Sequence, residues 1–200
     1  MSGVKSPRDT SAAIDATNEY GPPLDYSYIP LTSFLDAGDE VPRKGQQKVM
    51  RTKEGKYRST SLKFNYNALT DFEGFQGALE GILETPSDLS SLDLSFNDFT
   101  KIDPVLLEYP NLKMLYLHGN HIDKLEEIDK LAALPNLISL TVHGNLIEDL
   151  PGFRSYILSR LPKLKTLNFS GVTKADLTNA ATWKTMYGRK KTKRRPKDDA

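Results

Sequence analysis

The chain has 200 residues, 38% of them hydrophobic, no cysteine and a formal net charge of +1. That is enough apolar material for one domain with a continuous core. The absence of thiols excludes disulfides and cysteine-based metal sites, and no apolar run is long enough to span a bilayer.

The charge is unevenly placed. Residues 43–58 carry seven Lys or Arg against Glu54, residues 189–197 carry seven more and no acid, and residues 59–183 carry ten basic and sixteen acidic side chains. An acidic body is thus expected between two basic flanks.

Residues 1–20 are polar and small, without the apolar stretch of a secretory signal and with Ser2 in place of a myristoylated glycine, and are expected to be disordered in isolation. Residues 21–58 read as an extended docking segment followed by a basic linker. Pro22 and Pro23 stiffen the chain, while Leu24, Tyr26, Tyr28, Ile29 and Leu31 supply apolar anchors. Two readings stay open for this segment: it covers the N-terminal edge of the domain that follows, or it grips a partner.

From residue 59 to 187 one pattern recurs, L-x-x-L-x-L-x-x-N with two further apolar positions. Leu89, Leu92, Leu94, Asn97, Phe99 and Ile102 fill the first full copy. Leu112, Leu115, Leu117, Asn120, Ile122 and Leu125 fill the second, and Leu137, Leu140, Val142, Asn145, Ile147 and Leu150 the third. The asparagines recur after 23 and 25 residues, which is the leucine-rich-repeat period. L-x-L is a strand whose alternate residues enter one core. Stacked copies pair their strands in parallel about 4.8 Å apart. The expected fold is therefore α/β, a leucine-rich-repeat solenoid with a short parallel sheet on its concave face and short helices and turns on its convex face. The asparagine amide can satisfy backbone groups that a leucine cannot, so Asn97, Asn120 and Asn145 are expected to be buried. Weaker copies flank the three: Leu62, Phe64, Asn67 and Leu69 with Ser59 in the leading position, then Leu164, Leu167 and Phe169 with Val172 in place of the asparagine. The stack is expected to begin near residue 59 and end after 170.

Apolar stripes at helical spacing over 72–83, 126–134 and 153–161 predict the convex lids, with Glu126 and Lys130 paired at i,i+4. Thr173 is placed to cap a final helix with Asp176 in its first turn. Ala175, Leu177, Ala180 and Trp183 of that helix would close the open end of the stack. Residues 188–200 form a basic tail.

The run from Phe153-Arg154 through LPKLKTLN resembles the C-terminal cap of the leucine-rich repeats in the phosphatase regulator Sds22 and in axonemal dynein light chain 1. PPLDYS at 22–27, LDLSFNDFTKIDPVL at 92–106, LYLHGNHIDKL at 115–125, KLAALPNLISLTVHGN at 130–145 and FSGVTKADLTNAATWK at 169–184 resemble the family of leucine-rich repeat-containing protein 51. The resemblance implies a small, non-enzymatic, cytoplasmic protein from a family that tends to occur in organisms with motile cilia, with no catalytic residues to transfer.

Outward positions of the strands place Lys63, Asp93, Tyr116, Thr141 and Asn168 in one column of the concave face and Asn65, Ser95, His118, His143 and Ser170 in the next. Solenoids commonly use this face for partners, with tyrosine as an anchor. His118 and His143 fall on adjacent strands, about 5 Å apart, but no Asp, Glu or Cys on those two strands completes a metal shell. Ser95 has no evident base-and-acid pair, and Gly55-Lys56 lacks the earlier glycine of a phosphate loop. No enzyme, cofactor or metal is expected.

In the tail, Arg189, Lys190, Lys191, Lys193, Arg194 and Arg195 are expected to act on acidic partners by charge alone, with acidic tubulin tails or axonemal proteins, the nuclear import machinery and RNA backbone as the competing targets beside a simply solvated tail. No aromatics are interleaved for base stacking, so nucleic acid is disfavoured. Nothing points to a homo-oligomer. The expected function is a protein–protein interaction adaptor, a structural component of the ciliary or flagellar axoneme that contacts axonemal proteins or tubulin. The alternatives are a phosphatase regulatory subunit and a nuclear ribonucleoprotein component.

Overall fold

The computed structural model describes residues 21–187; the disorder expected of residues 1–20 and the basic tail, including Arg189 to Arg195, lie outside the described residues. Seven short strands form one sheet in sequence order: β1 (Leu24–Asp25), β2 (Ser61–Lys63), β3 (Ser91–Asp93), β4 (Met114–Tyr116), β5 (Ser139–Thr141), β6 (Thr166–Leu167) and β7 (Ser170–Gly171). The first six pair in parallel with constant register, aligning Leu24, Leu62, Leu92, Leu115, Leu140 and Leu167 across the sheet. All six are fully buried, as are Tyr26, Phe64, Leu94, Leu117 and Val142 in the column two residues on. Each such side chain contributes about 1.5–3 kcal/mol of burial, and only stacking makes that burial possible.

The sheet begins at Leu24, one full turn before residue 59. Residues 24–34 are a divergent repeat: Leu24 and Tyr26 take the L-x-L positions, and Leu31 and Phe34 take the two later apolar ones, all buried. Ile29 stands where the asparagine would be. Of the two readings of this segment, the structure places Leu24 and Tyr26 in the chain's own core, while Pro23 and Tyr28 stay exposed and Pro22 is half-buried. Ser59 stands in the leucine position because its buried hydroxyl donates to Pro22 O (2.8 Å) and ties β1 to the next turn.

The asparagines are buried and bridge successive repeats. Asn120 Nδ2 donates to Leu94 O of the previous turn and Leu117 O of its own, both at 3.0 Å, and its Oδ1 accepts from Phe99 N at 3.0 Å. Asn97 and Asn145 repeat these contacts one turn away on either side, and Asn67 does so toward Tyr26 and Phe64.

Convex lids are α1 (Phe75–Ile82), α2 (Phe153–Arg160) and tight 3₁₀ turns over Pro104–Glu108 and Leu125–Ala133. The 3₁₀ geometry changes the expected ion pair. Lys130 bonds Glu127 at 2.6 Å instead of Glu126, because residues three apart eclipse in a 3₁₀ segment. Leu150, expected inside, is 38% exposed where the chain leaves its last turn for Pro151-Gly152.

The C-terminal end departs most from expectation. Asn168 and Phe169 have φ of 51° and 60°, so the chain reverses in a two-residue hairpin and β7 returns antiparallel to β6. Phe169 is consequently 63% exposed and not in the core. Helix α3 (Lys174–Tyr187) follows and packs on α2. Thr173 Oγ1 accepts from Asp176 N (3.1 Å) and Asp176 Oδ2 accepts from Thr173 N (2.9 Å), so the aspartate completes a reciprocal capping box. Arg154 of α2 donates twice to the same carboxylate, at 2.8 and 2.9 Å, which with the Thr173 bonds holds it well below the usual carboxylate range. Of the four residues expected to close the stack, Ala180 is buried and Trp183 packs edge-on to Tyr156, whereas Ala175 and Leu177 face outward.

Two stability changes follow from this packing. Asn120→Ala removes the partner of three buried backbone groups and should lower unfolding free energy by about 2–4 kcal/mol in urea denaturation, at roughly 1–3 kcal/mol for a buried group left unsatisfied. Tyr26 is the opposite case: its hydroxyl is buried without a hydrogen-bond partner, so Tyr26→Phe should raise stability by about 1 kcal/mol in the same assay.

Candidate partner-binding face

The residue just before each asparagine adopts a left-handed backbone. Tyr66, Phe96, Gly119 and Gly144 have φ of 57°, 52°, 66° and 65°, and Tyr28, before Ile29, has 57°. Its N–H reaches across to the next turn, as in Phe96 N to His118 O at 2.9 Å and Gly119 N to His143 O at 2.9 Å. The following residue can then turn back under the sheet. Glycine accepts this conformation freely, but a tyrosine or phenylalanine is strained in it by about 1–3 kcal/mol. The first three turns nevertheless carry aromatics there.

Those rings form a ladder along the rim of the concave face. Tyr28 and Tyr66 stack at 4.5 Å, and Tyr66 and Phe96 at 4.3 Å. Phe96 then leans over Gly119, where a Cβ would come within 2.7 Å of its ring, and meets His118 edge-on at 5.1 Å. His118 and His143 stack at 4.7 Å, as their strand positions require. Phe169, thrown onto this face by the terminal hairpin, contacts both histidines at 5.6 Å and lies 6.2 Å from Tyr116. At the other end the Arg43 guanidinium sits 5.4 Å over the Tyr28 ring. Tyr28, Tyr66, Phe96 and Phe169 are 40–63% exposed.

Beside this ladder the strands form an open trough of about 550 Å³, floored by Ser61, Ser91 and Ser95 and walled by Tyr66, Phe96, Tyr116 and Phe169. Lys63 is exposed in it. Asp93 is half-buried and accepts from Ser95 N (3.0 Å) and Oγ (2.6 Å). One expected member of the surface is not on it: Thr141 is fully buried, its hydroxyl 2.8 Å from His118 Nδ1. Asn168 is half-buried, its Oδ1 accepting from Val142 N (2.8 Å).

Burial, reinforced by the neighbouring His143 and only partly offset by Asp93, pushes the His118 imidazole below its ordinary pKa. Ser95 donates to Asp93 and not to a histidine, so the face holds no serine–histidine–carboxylate chain. Among the described residues no three His, Asp or Glu are grouped to hold a metal ion, and no helix is long and apolar enough to cross a membrane.

Tyr66, Phe96 and Phe169 are not evident as surface residues from the strand pattern. For Tyr66 and Phe96 the available signal is the register of Gly119 and Gly144, which marks a left-handed position that the earlier turns fill with aromatics; Phe169 lies outside that register and is exposed by the terminal hairpin.

A sequence profile for the family described as “Leucine-rich repeat” matches residues 64–198. Leucine-rich repeat-containing protein 51 of Bos taurus is 50% identical over 170 residues, covering 85% of this chain and 88% of the relative. The same protein of Mus musculus is 48% identical over 183 residues, covering 92% and 95%. Among solved structures, the Drosophila melanogaster SNF/U2A' complex contains a chain that superposes with a TM-score of 0.53 at 23% identity, covering 63% of this chain and 68% of that one, a likeness of fold.

His118 should titrate below about 6.5, the ordinary imidazole value, in an NMR pH series. Because the folded-state value is depressed, the stabilisation is fully present above about 6.5 and is lost as pH falls from there through the lower folded-state value. His143→Ala should raise the His118 midpoint by removing the like charge.

Proposed function

This chain belongs to the leucine-rich repeat-containing protein 51 family, and we propose that it is a non-enzymatic adaptor that holds another protein against the concave face. The observation that carries the reading is the ladder Tyr28–Tyr66–Phe96: solvent-facing aromatics on a strained backbone, continued by Tyr116 and Phe169. Apolar rings grouped on a surface mark interaction sites, and aromatic anchors dominate the energy of such contacts. Local strain of this kind is retained where function uses it. The trough is open and shallow, suited to a polypeptide segment; a small-molecule site would be more enclosed.

The setting we propose is the ciliary or flagellar axoneme, the partner being an axonemal protein or tubulin. Its support is the family resemblance, with the basic flanks suited to acidic surfaces. Affinity capture from ciliated cells with the wild-type chain and with a Tyr66→Ala/Phe96→Ala variant tests both levels. Axonemal proteins should be recovered by the wild type and depleted roughly tenfold or more by the variant, the size of effect expected for truncated anchor residues. Equal recovery would remove the concave-face reading. Recovery of a phosphatase catalytic subunit in place of axonemal proteins, or confinement of the protein to soluble cell-body extract, would remove the axonemal one.

A further inference from the structure

The N-terminal end of the solenoid carries a second surface of different chemistry. Residues 41–58 pass along the outer edge of β1, with Arg43 N donating to Asp25 O at 2.6 Å, and then fold into a small hairpin in which Arg51 pairs antiparallel with Tyr57. The hairpin is held to the body on both sides: Tyr57 N donates to Ile82 O (2.8 Å) and Glu84 N to Tyr57 O (2.9 Å), while Gly21 N donates to Arg58 O (3.0 Å). What reads in the sequence as a basic linker is a fixed cap over the first turns.

Its seven cations divide by type. The three arginines are engaged within the fold. Arg43 Nη1 donates to Ser27 Oγ (3.1 Å) and lies over Tyr28; Arg51 Nε donates to Gly55 O (2.9 Å) and lies 4.7 Å over Tyr57; Arg58 forks onto Glu84. The four lysines, Lys44, Lys48, Lys53 and Lys56, make no side-chain hydrogen bond or ion pair among the described residues. Glu54, near Lys56, is the one acid of the loop. Two hollows of about 430 and 650 Å³ adjoin along the cap and share Lys48 and Val49.

We infer that this cap is a docking site for an acidic polypeptide segment, whose carboxylates meet Lys44, Lys48 and Lys53 along the two joined hollows, with Lys56 of the same hairpin adding to the positive field. The arginines hold the backbone in place before the partner arrives, so little ordering remains to oppose binding. The lysines supply positive charge that the fold itself does not neutralise. Three features favour an acidic polypeptide over nucleic acid. Tyr57, the one aromatic of residues 41–58, is buried with Arg51 across its face, so the cap itself offers no ring for base stacking. The Arg58 fork, the geometry that clamps phosphates, is taken by Glu84, and Arg43 and Arg51 each hold a partner within the fold. The adjoining body, with ten basic and sixteen acidic residues over 59–183, repels a long polyanion but not a short segment confined to the cap. The site does not rest on the concave-face reading.

The probe is a fluorescent oligoglutamate peptide titrated against the full chain. Binding should weaken with added salt, as contacts between exposed charges do. The variant Lys44→Gln/Lys48→Gln/Lys53→Gln/Lys56→Gln should weaken it roughly tenfold or more, several surface charge pairs each contributing a little. A matched variant, Lys113→Gln/Lys124→Gln/Lys165→Gln/Lys174→Gln, removes the same charge from the body and should change affinity by less than about twofold. Tyr66→Ala/Phe96→Ala should leave oligoglutamate binding unchanged, which separates this surface from the trough. Equal loss in the cap and body variants would overturn the site in favour of net charge. So would loss seen only when Lys190, Lys191, Lys193 and Arg194 are neutralised, which assigns binding to the tail. Tighter binding of a thymidine decanucleotide than of the peptide would overturn the choice of partner.

Discussion

The structure depends on one constraint: at the end of each strand the chain must turn away from the sheet without leaving peptide groups unpaired inside the core. The buried asparagine meets it. Asn97, Asn120 and Asn145 each donate to carbonyls of two successive turns and accept from an N–H of the turn before. Two adjacent turns are thereby fixed in register as well as held together. A slipped strand would keep its leucines half-buried but would lose this pairing, so the amides make the regular leucine column specific.

The same constraint shapes the surface. For the asparagine to point inward, the residue before it must be left-handed, and its side chain, if it has one, must project along the concave rim. Wherever that residue is aromatic, the ring comes to lie one strand spacing from the next, and the rings stack. The ladder is thus a consequence of the core's hydrogen bonding, with the strain of each left-handed aromatic offset in part by its neighbour's ring.

The leucine and asparagine positions, the sheet and its parallel pairing were legible because each depends on spacing along the chain alone. The first turn was not: its asparagine position holds Ile29 and its leading position holds Gly21, so residues 24–34 look like an appended segment until Leu24 is seen paired with Leu62. Phe169 was misplaced for a related reason. It continues the strand's alternation on paper, but Val172 cannot do the asparagine's work, and without that bridge the chain turns back at Asn168-Phe169 and never opens another turn. The Glu127–Lys130 pair differs from the expected one because a spacing argument written for an α-helix does not carry to a 3₁₀ segment. In the candidate site, Tyr116, His118 and His143 followed from strand alternation, whereas Tyr66 and Phe96 required knowing that backbone hand, not alternation, sets their direction.

Why the ladder stops at Phe96 has a steric answer that also sets the character of the face. A side chain at Gly119 would collide with the Phe96 ring, and one at Gly144 would press on the Gly119 backbone at 3.3 Å, and both turns carry glycine at the left-handed position. The space this leaves is taken by the residue before it, which brings His118 and His143 into face-to-face contact, and by Phe169 from the terminal hairpin. One end of the rim is therefore stacked, uncharged aromatics ending under the Arg43 cation, and the other is a pair of imidazoles boxed by an aromatic ring, where burial and the neighbouring ring resist a proton on His118. A partner segment laid along this rim meets a chemically polarised surface, which gives it a direction as well as a place.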